Sequence, residues 1–135
     1  MPYLFVYGTL RKGVVNEFAA MLSRSAHYIG AARVRGRLYR VAHYPALMPS
    51  RRGCGWVRGD VYALDHPVRM FRILDEYEGL TAPSEFQRTT ILAKLDSGER
   101  IEAWVYVYTR GTVGLPRIVS GDFLNPRPRQ AMSRS

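Results

Sequence analysis

The chain is nearly without cysteine. Cys54 is the only one in 135 residues, so no internal disulfide can form and a reducing, cytoplasmic setting is the expectation. Long apolar runs are missing too, and nothing approaches the ~18–20 residues of a membrane-spanning helix. The opening Met1-Pro2-Tyr3-Leu4-Phe5-Val6 has neither the basic stretch nor the cleavage site of a secretory leader. Metal-ligand spacing is absent among His27, His43 and His66, and Cys54, set between Gly53 and Gly55, has no evident histidine partner for nucleophilic chemistry. Acids are scarce at one end. Residues 1–59 carry ten Lys or Arg against the single acid Glu17, whereas residues 60–135 carry ten of each sign. The resulting +9 charge could steer an anionic ligand or partner. It reads equally as compositional bias, because lysine is almost lacking and 18 of the 20 basic residues are Arg. The arginines are scattered, with no helix-turn-helix, zinc or RNP pattern, which argues against nucleic-acid binding.

What is present describes one compact domain. Tyr3 to Tyr7 is a short apolar run ending at Gly8, the pattern of a strand buried on both faces. Val14, Phe18, Met21 and Leu22 recur at helical spacing and predict a helix over about 15–23. Residues 26–41, with Gly30 and Gly36, predict one or two bent strands, and His43-Tyr44-Pro45-Ala46 a proline-held loop. Trp56–Leu64 predicts a strand with Val57, Val61 and Ala63 on one face. A second helix follows, capped by Asp65, with Pro67 in its first turn, a stripe of Met70, Ile73, Leu74 and Tyr77, and closure at Gly79. Runs 86–95 and 100–108 flank Asp96-Ser97-Gly98-Glu99 as a hairpin. In its second strand Ile101, Ala103, Val105 and Val107 alternate with Glu102, Trp104, Tyr106 and Tyr108. Those aromatics could wall a pocket or simply pack. Residues 1–124 are expected to form the domain. Residues 125–135, rich in Pro and Arg, are expected to be a flexible tail. Many strands and two helices predict an α+β fold with a curved or barrel-like sheet.

Two segments carry candidate chemistry. In Tyr7-Gly8-Thr9-Leu10 a glycine ends a strand shortly before a helix, so successive N–H groups can converge on an anion. An ordinary strand-to-helix turn would look the same. It is not a Walker loop: Gly8 and Gly13 have the spacing, but Val14 and Val15 replace the lysine and hydroxyl. The second is Glu78 in Leu74-Asp75-Glu76-Tyr77-Glu78-Gly79. A carboxylate near a helix C-terminus meets the negative end of the dipole, which disfavours its charge and raises its pKa toward that of a useful acid or base. A solvated surface glutamate is the alternative. Asp75 and Glu76 read as the polar helix face, Asp60 as a strand residue answering a nearby arginine, and Asp122 as a turn residue.

Taken together, these segments carry a resemblance. Phe5-Val6-Tyr7-Gly8-Thr9-Leu10-Arg11-Lys12-Gly13, then Tyr44-Pro45-Ala46, Gly59-Asp60-Val61-Tyr62, Leu74-Asp75-Glu76-Tyr77-Glu78-Gly79 and Ser120-Gly121-Asp122-Phe123, are similar in order and spacing to the γ-glutamylcyclotransferase-like family. That family includes γ-glutamylamine cyclotransferases and AIG2-like proteins, and the likeness covers about residues 3–124. It implies a single-domain, mixed, partly closed β-barrel with two main flanking helices. It also implies a cofactor-independent enzyme in which a γ-glutamyl amine or γ-glutamyl amino acid cyclises to 5-oxoproline and releases the amine. By the same likeness Tyr7, Gly8, Thr9 and Leu10 hold the α-carboxyl end of the substrate, and Glu78 is the general acid/base. The chain departs from many relatives at Phe86, where a tyrosine precedes the arginine corresponding to Arg88 by two residues, and at Phe123, where tryptophan is common. A non-catalytic small-carboxylate-binding module of the same fold is the alternative.

Overall fold

The computed structural model describes residues 2–8, 17–41, 44–50, 55–81 and 86–124, with the side chains at 17, 18, 44 and 75–81 outside that description. The elements run β1 Tyr3–Val6, α1 Glu17–Ser25, β2 Ala26–Val41, β3 Tyr44–Pro49, β4 Trp56–Leu64, α2 Pro67–Thr81, β5 Phe86–Leu95 and β6 Arg100–Tyr108. The strand order is β3-β2-β4-β1-β6-β5, and β5 returns to β2 through Ala32↔Leu95 and Arg33↔Lys94. Five strands therefore close into a barrel, with β3 attached to β2. The ladders are antiparallel except β1–β6, which is parallel at Leu4↔Trp104, so the barrel is mixed.

Strand alternation divides the apolar residues between two cores. Phe5, Val34, Leu38, Val57, Val61, Ala103 and Val105 fill the barrel. Leu4, Val6, Tyr62, Leu64 and Tyr106 face outward, under Leu22 of α1 and Met70 and Leu74 of α2. This is why β1 reads as apolar throughout: both of its faces are covered. Leu22 and Leu74 are completely buried, each contributing about 1.5–3 kcal/mol of transfer free energy. On β6 the aromatic face packs. Trp104 and Tyr106 join the outer core, and Tyr108 meets the Phe86 ring edge-on at 5.7 Å.

The barrel closes tightly where β1 meets β4. A Cβ on Gly59 would run into the Val6 carbonyl oxygen and the Phe5 ring, so no other residue fits there without moving β1. The β4 strand and the β5–β6 hairpin match their predicted bounds. Residues 26–41 form one 16-residue strand, bent at a bulge between Tyr28 and Gly30, long enough to pair with three neighbours.

Three expectations are corrected. The predicted loop at 43–46 is, from Tyr44 on, the start of strand β3. Pro45 and Pro49 are tolerated because β3 is an edge strand, its ladder among the described residues running to β2 alone, and His43 lies outside the described residues. The first helix reaches Ser25 rather than 23, its final turn leading directly into β2. The second helix continues through Gly79 to Thr81. One glycine lowers helix propensity by only ~1 kcal/mol, less than the packing of a long amphipathic face provides. Residues 125–135 lie outside the described residues, as do 9–16.

Candidate active site

The turn after β1 is built from both sides. Tyr7 is buried, its ring stacked on Phe5 with centroids 6.2 Å apart. Its hydroxyl donates to the Tyr106 carbonyl at 2.6 Å and accepts from the Leu47 N–H at 3.4 Å. One side chain thus ties the end of β1 to β6 and β3. Gly8 is held by shape: a Cβ there would stand 2.8 Å from Pro45 Cγ. The Tyr-Gly and Tyr-Pro-Ala segments, far apart in sequence, are therefore two sides of one contact. Thr9 and Leu10 lie outside the described residues.

Beside this turn is a carboxylate that sequence reasoning undervalued. Asp60, at 4% exposure, is the one buried charged side chain among the described residues. It stands opposite Val6 on β4, the last residue of β1, and accepts a hydrogen bond from the Tyr28 hydroxyl at 3.1 Å. Tyr28 pairs with Tyr62 just before a bulge in β2, and its hydroxyl reaches diagonally to Asp60. The Tyr28 and Tyr62 rings meet edge-on at 5.4 Å. The Tyr62 hydroxyl is buried with no hydrogen-bond partner. The available signal was a lone acid in the strand Trp56–Leu64, immediately before the apolar run Val61–Leu64.

The α2 backbone carries position 78 in its last turn, but the side chains of Asp75, Glu76 and Glu78 lie outside the described residues. The middle of α2 is fixed to the hairpin by Arg88, whose guanidinium covers the Phe71 ring at 4.2 Å and the Trp104 ring at 5.6 Å. His27 and Asp65 pair at 2.9 Å on the surface. In the last motif, Ser120 Oγ accepts from the Asp122 N–H at 3.2 Å and Asp122 Oδ1 from the Leu124 N–H at 3.1 Å. Asp122 is thus a turn residue, and the Gly121 carbonyl accepts from the Arg58 N–H at 2.7 Å, pinning that turn to β4.

A cavity of about 780 Å³ opens elsewhere, between the diverging parts of β2 and β5, with Arg35, Trp56, Thr89, Lys94 and Arg100 on its walls. It includes none of the residues singled out from the sequence. On the same side of the barrel Arg58 grips Asp96 with both guanidinium nitrogens, at 2.9 and 3.0 Å. That hydrogen-bonded contact, and then the Arg58 charge, hold the Asp96 carboxyl below its ordinary value. Among the described residues no three His, Cys, Asp or Glu side chains cluster as metal ligands, and no helix is long and apolar enough to cross a membrane.

Comparisons with known proteins agree with this architecture. Residues 4–125 match the model of the family described as γ-glutamyl cyclotransferase, AIG2-like. The chain is 34% identical over 130 residues to the γ-glutamylcyclotransferase family protein YtfP of Escherichia coli K12, covering 90% of this chain and 96% of that protein. It is 31% identical to the γ-glutamylaminecyclotransferase of Rattus norvegicus, with 78% and 77% covered. The crystal structure of an AIG2-like protein from Mus musculus superposes with a TM-score of 0.65 at 28% identity, over 87% of this chain and 85% of that one. With a closed mixed barrel and a match over nearly the whole chain, the protein belongs to the γ-glutamyl cyclotransferase, AIG2-like family of enzymes.

Proposed function

We propose that the protein converts a γ-glutamyl amine or γ-glutamyl amino acid to 5-oxoproline and the free amine, in the cytoplasm, without a cofactor. The observation that carries this reading is the Tyr7-Gly8 turn, locked by the Tyr7 hydroxyl and by Pro45. A turn held on two sides keeps its N–H groups fixed, which is what recognition of an anion by backbone donors requires. The N–H groups of Gly8, Thr9 and Leu10 then take the substrate α-carboxylate, with Tyr7 positioning them.

Glu78 is the general acid/base. Along α2, position 78 follows Met70 and Leu74 at four-residue intervals, and those two residues are buried against the sheet. The α-ammonium gives a proton to the Glu78 carboxylate, and the freed amine attacks the γ-carbonyl carbon. The new C–N bond closes the ring, and the old amide C–N bond breaks as the leaving nitrogen takes the first proton back from Glu78. The regenerated carboxylate accepts the second proton, which the cationic ring nitrogen must lose, and passes it to the departing amine, which leaves as an ammonium ion. Attack is intramolecular, so holding the chain folded accounts for much of the barrier, up to ~7–11 kcal/mol in well-oriented systems.

The test is 5-oxoproline release across a panel of γ-glutamyl amines, γ-glutamyl amino acids and glutathione. Turnover of at least one member is expected, falling about 10²–10⁴-fold in Glu78→Gln. Full activity in that variant would remove Glu78 from the mechanism. Binding of panel members with no release from any of them would instead establish the non-catalytic module.

A further inference from the structure

The cavity beside β5 has a wall made of unpaired backbone. β5 pairs with β6 along its length, from Phe86↔Tyr108 to Lys94↔Arg100, but meets β2 only at Ala32↔Leu95 and Arg33↔Lys94. From there toward Phe86 the two strands diverge, and the space of about 780 Å³ opens between them. The hairpin turn fixes which groups face it. The Leu95 N–H donates to the Glu99 carbonyl at 2.8 Å, on the β6 side, and the Asp96 N–H donates to the Ala31 carbonyl of β2 at 3.0 Å. Alternation along an antiparallel ladder then directs the N–H and C=O of Leu92 and Thr90 away from β6, into the cavity. Among the described residues no backbone group meets them there. Pro49, on the far wall, has no N–H with which to close the gap. An open strand edge of this kind is a template for an added strand.

Charge selects what is added. Arg35, Lys94 and Arg100 line the cavity against the single acid Glu102. The guanidinium groups of Arg33 and Arg35 stand over the Trp56 ring, 4.7 and 4.5 Å from its centre, so further positive charge is held at the same wall. Lys94 and Arg100 are cross-strand partners, and Leu92 shares their face. Alternate side chains of a strand laid along Thr89–Leu92 fall on that face. The chain's own residues 125–135 carry three Arg and no acid, so charge opposes them as occupant. A second copy joined through the same edge brings two sets of cations together, and like charges across a ladder repel.

We propose that the open edge of β5 at Thr89–Leu92 binds an extended acidic segment of a partner protein. The segment adds as a strand over about 13 Å, its backbone pairing with Thr90 and Leu92 and its carboxylates meeting Lys94, Arg100 and Arg35. This surface is independent of the catalytic reading above.

The experiment follows the fluorescence anisotropy of a labelled peptide that alternates Glu with Val, titrated with the full chain. Two comparison peptides replace Glu by Lys, or keep Glu and carry N-methyl groups throughout, which removes every backbone donor. Wild type is expected to bind the acidic peptide about tenfold or more tightly than either. Leu92→Pro is expected to weaken that binding about tenfold. The Leu92 N–H faces away from β6, so proline there leaves the β5–β6 ladder intact. Should Leu92→Pro not fold, Lys94→Glu with Arg100→Glu decides: loss of the preference for Glu over Lys supports the proposal, and an unchanged preference defeats it. No binding of the acidic peptide, or equal binding of its N-methylated form, would overturn strand addition. An oligothymidylate of equal charge that binds as tightly as the peptide and displaces it would overturn the proposal in favour of nucleic acid.

Discussion

Gly8→Ala is expected to destabilise the protein through a single contact that a second substitution can relieve. The new Cβ would lie 2.8 Å from Pro45 Cγ and 3.3 Å from Cδ, against the 3.4 Å at which ordinary contact begins. The nearest pair is thus short by about 0.6 Å, and a proline ring has no rotamer with which to swing away, so β3 must shift. Overpacking of this kind costs about 1–3 kcal/mol. Gly8 is not among the positive-φ glycines, so alanine fits its backbone and restricts the unfolded chain, recovering about 0.4–1 kcal/mol. The net loss is about 0–2.6 kcal/mol, centred near 1.3. In a Pro45→Ala background the ring is gone, and Gly8→Ala is expected to be neutral or to stabilise by up to about 1 kcal/mol. Urea unfolding of the four proteins, followed by tryptophan fluorescence, measures the coupling. Effects that add to within about 0.5 kcal/mol would refute the contact as the reason for glycine. KM for a turned-over γ-glutamyl compound should rise in Gly8→Ala and partly recover in the double variant.

Further expectations follow from the same geometry. Tyr7→Phe keeps the ring but removes the hydrogen bonds to the Tyr106 carbonyl and from the Leu47 N–H, costing about 1–3 kcal/mol in urea unfolding; a loss below about 0.3 kcal/mol would show that the hydroxyl does not hold the turn. Gly59→Ala meets the Val6 backbone and the Phe5 ring and is expected to cost more than about 3 kcal/mol, at the severe end of overpacking, so a wild-type unfolding midpoint would contradict the packing described. Asp96→Asn removes a surface pair worth about 0.2–1 kcal/mol. Because the folded Asp96 pKa lies below 3.8, that contribution is full above the ordinary value and is lost as pH falls through the folded one. Wild type and Asp96→Asn should therefore differ at pH 7 and converge in acid, and a gap that widened toward low pH would reverse the sign of the argument.

Much of the fold was legible because its elements have distinct periods. The alternation in 100–108 and the turn residues 96–99 define the hairpin, and the unbroken apolar run of β1 signals a strand covered twice. The misread element was β3, because proline usually excludes a strand. Edge position removes that objection, and edge position is a property of the sheet. The end of α2 was misplaced for a similar reason, since Gly79 is a stop signal only where packing does not carry the helix past it.

The site divides along the same line. Tyr7-Gly8 was legible as a turn, but what fixes it was not. Pro45, Leu47 and Tyr106 lie 37 to 99 positions from the residues they meet and reach Tyr7 and Gly8 only when β3 folds toward β6. Asp60 was passed over because a lone acid in a strand has a cheap explanation in an arginine-rich chain, where a cation is always near. Arg58 directs its guanidinium to Asp96, yet its charge still interacts with Asp60, which also accepts a hydrogen bond from Tyr28. A strand bulge re-aims a side chain at the expense of ladder regularity, and Tyr28, whose hydroxyl meets the one carboxylate buried among the described residues, stands at such a bulge.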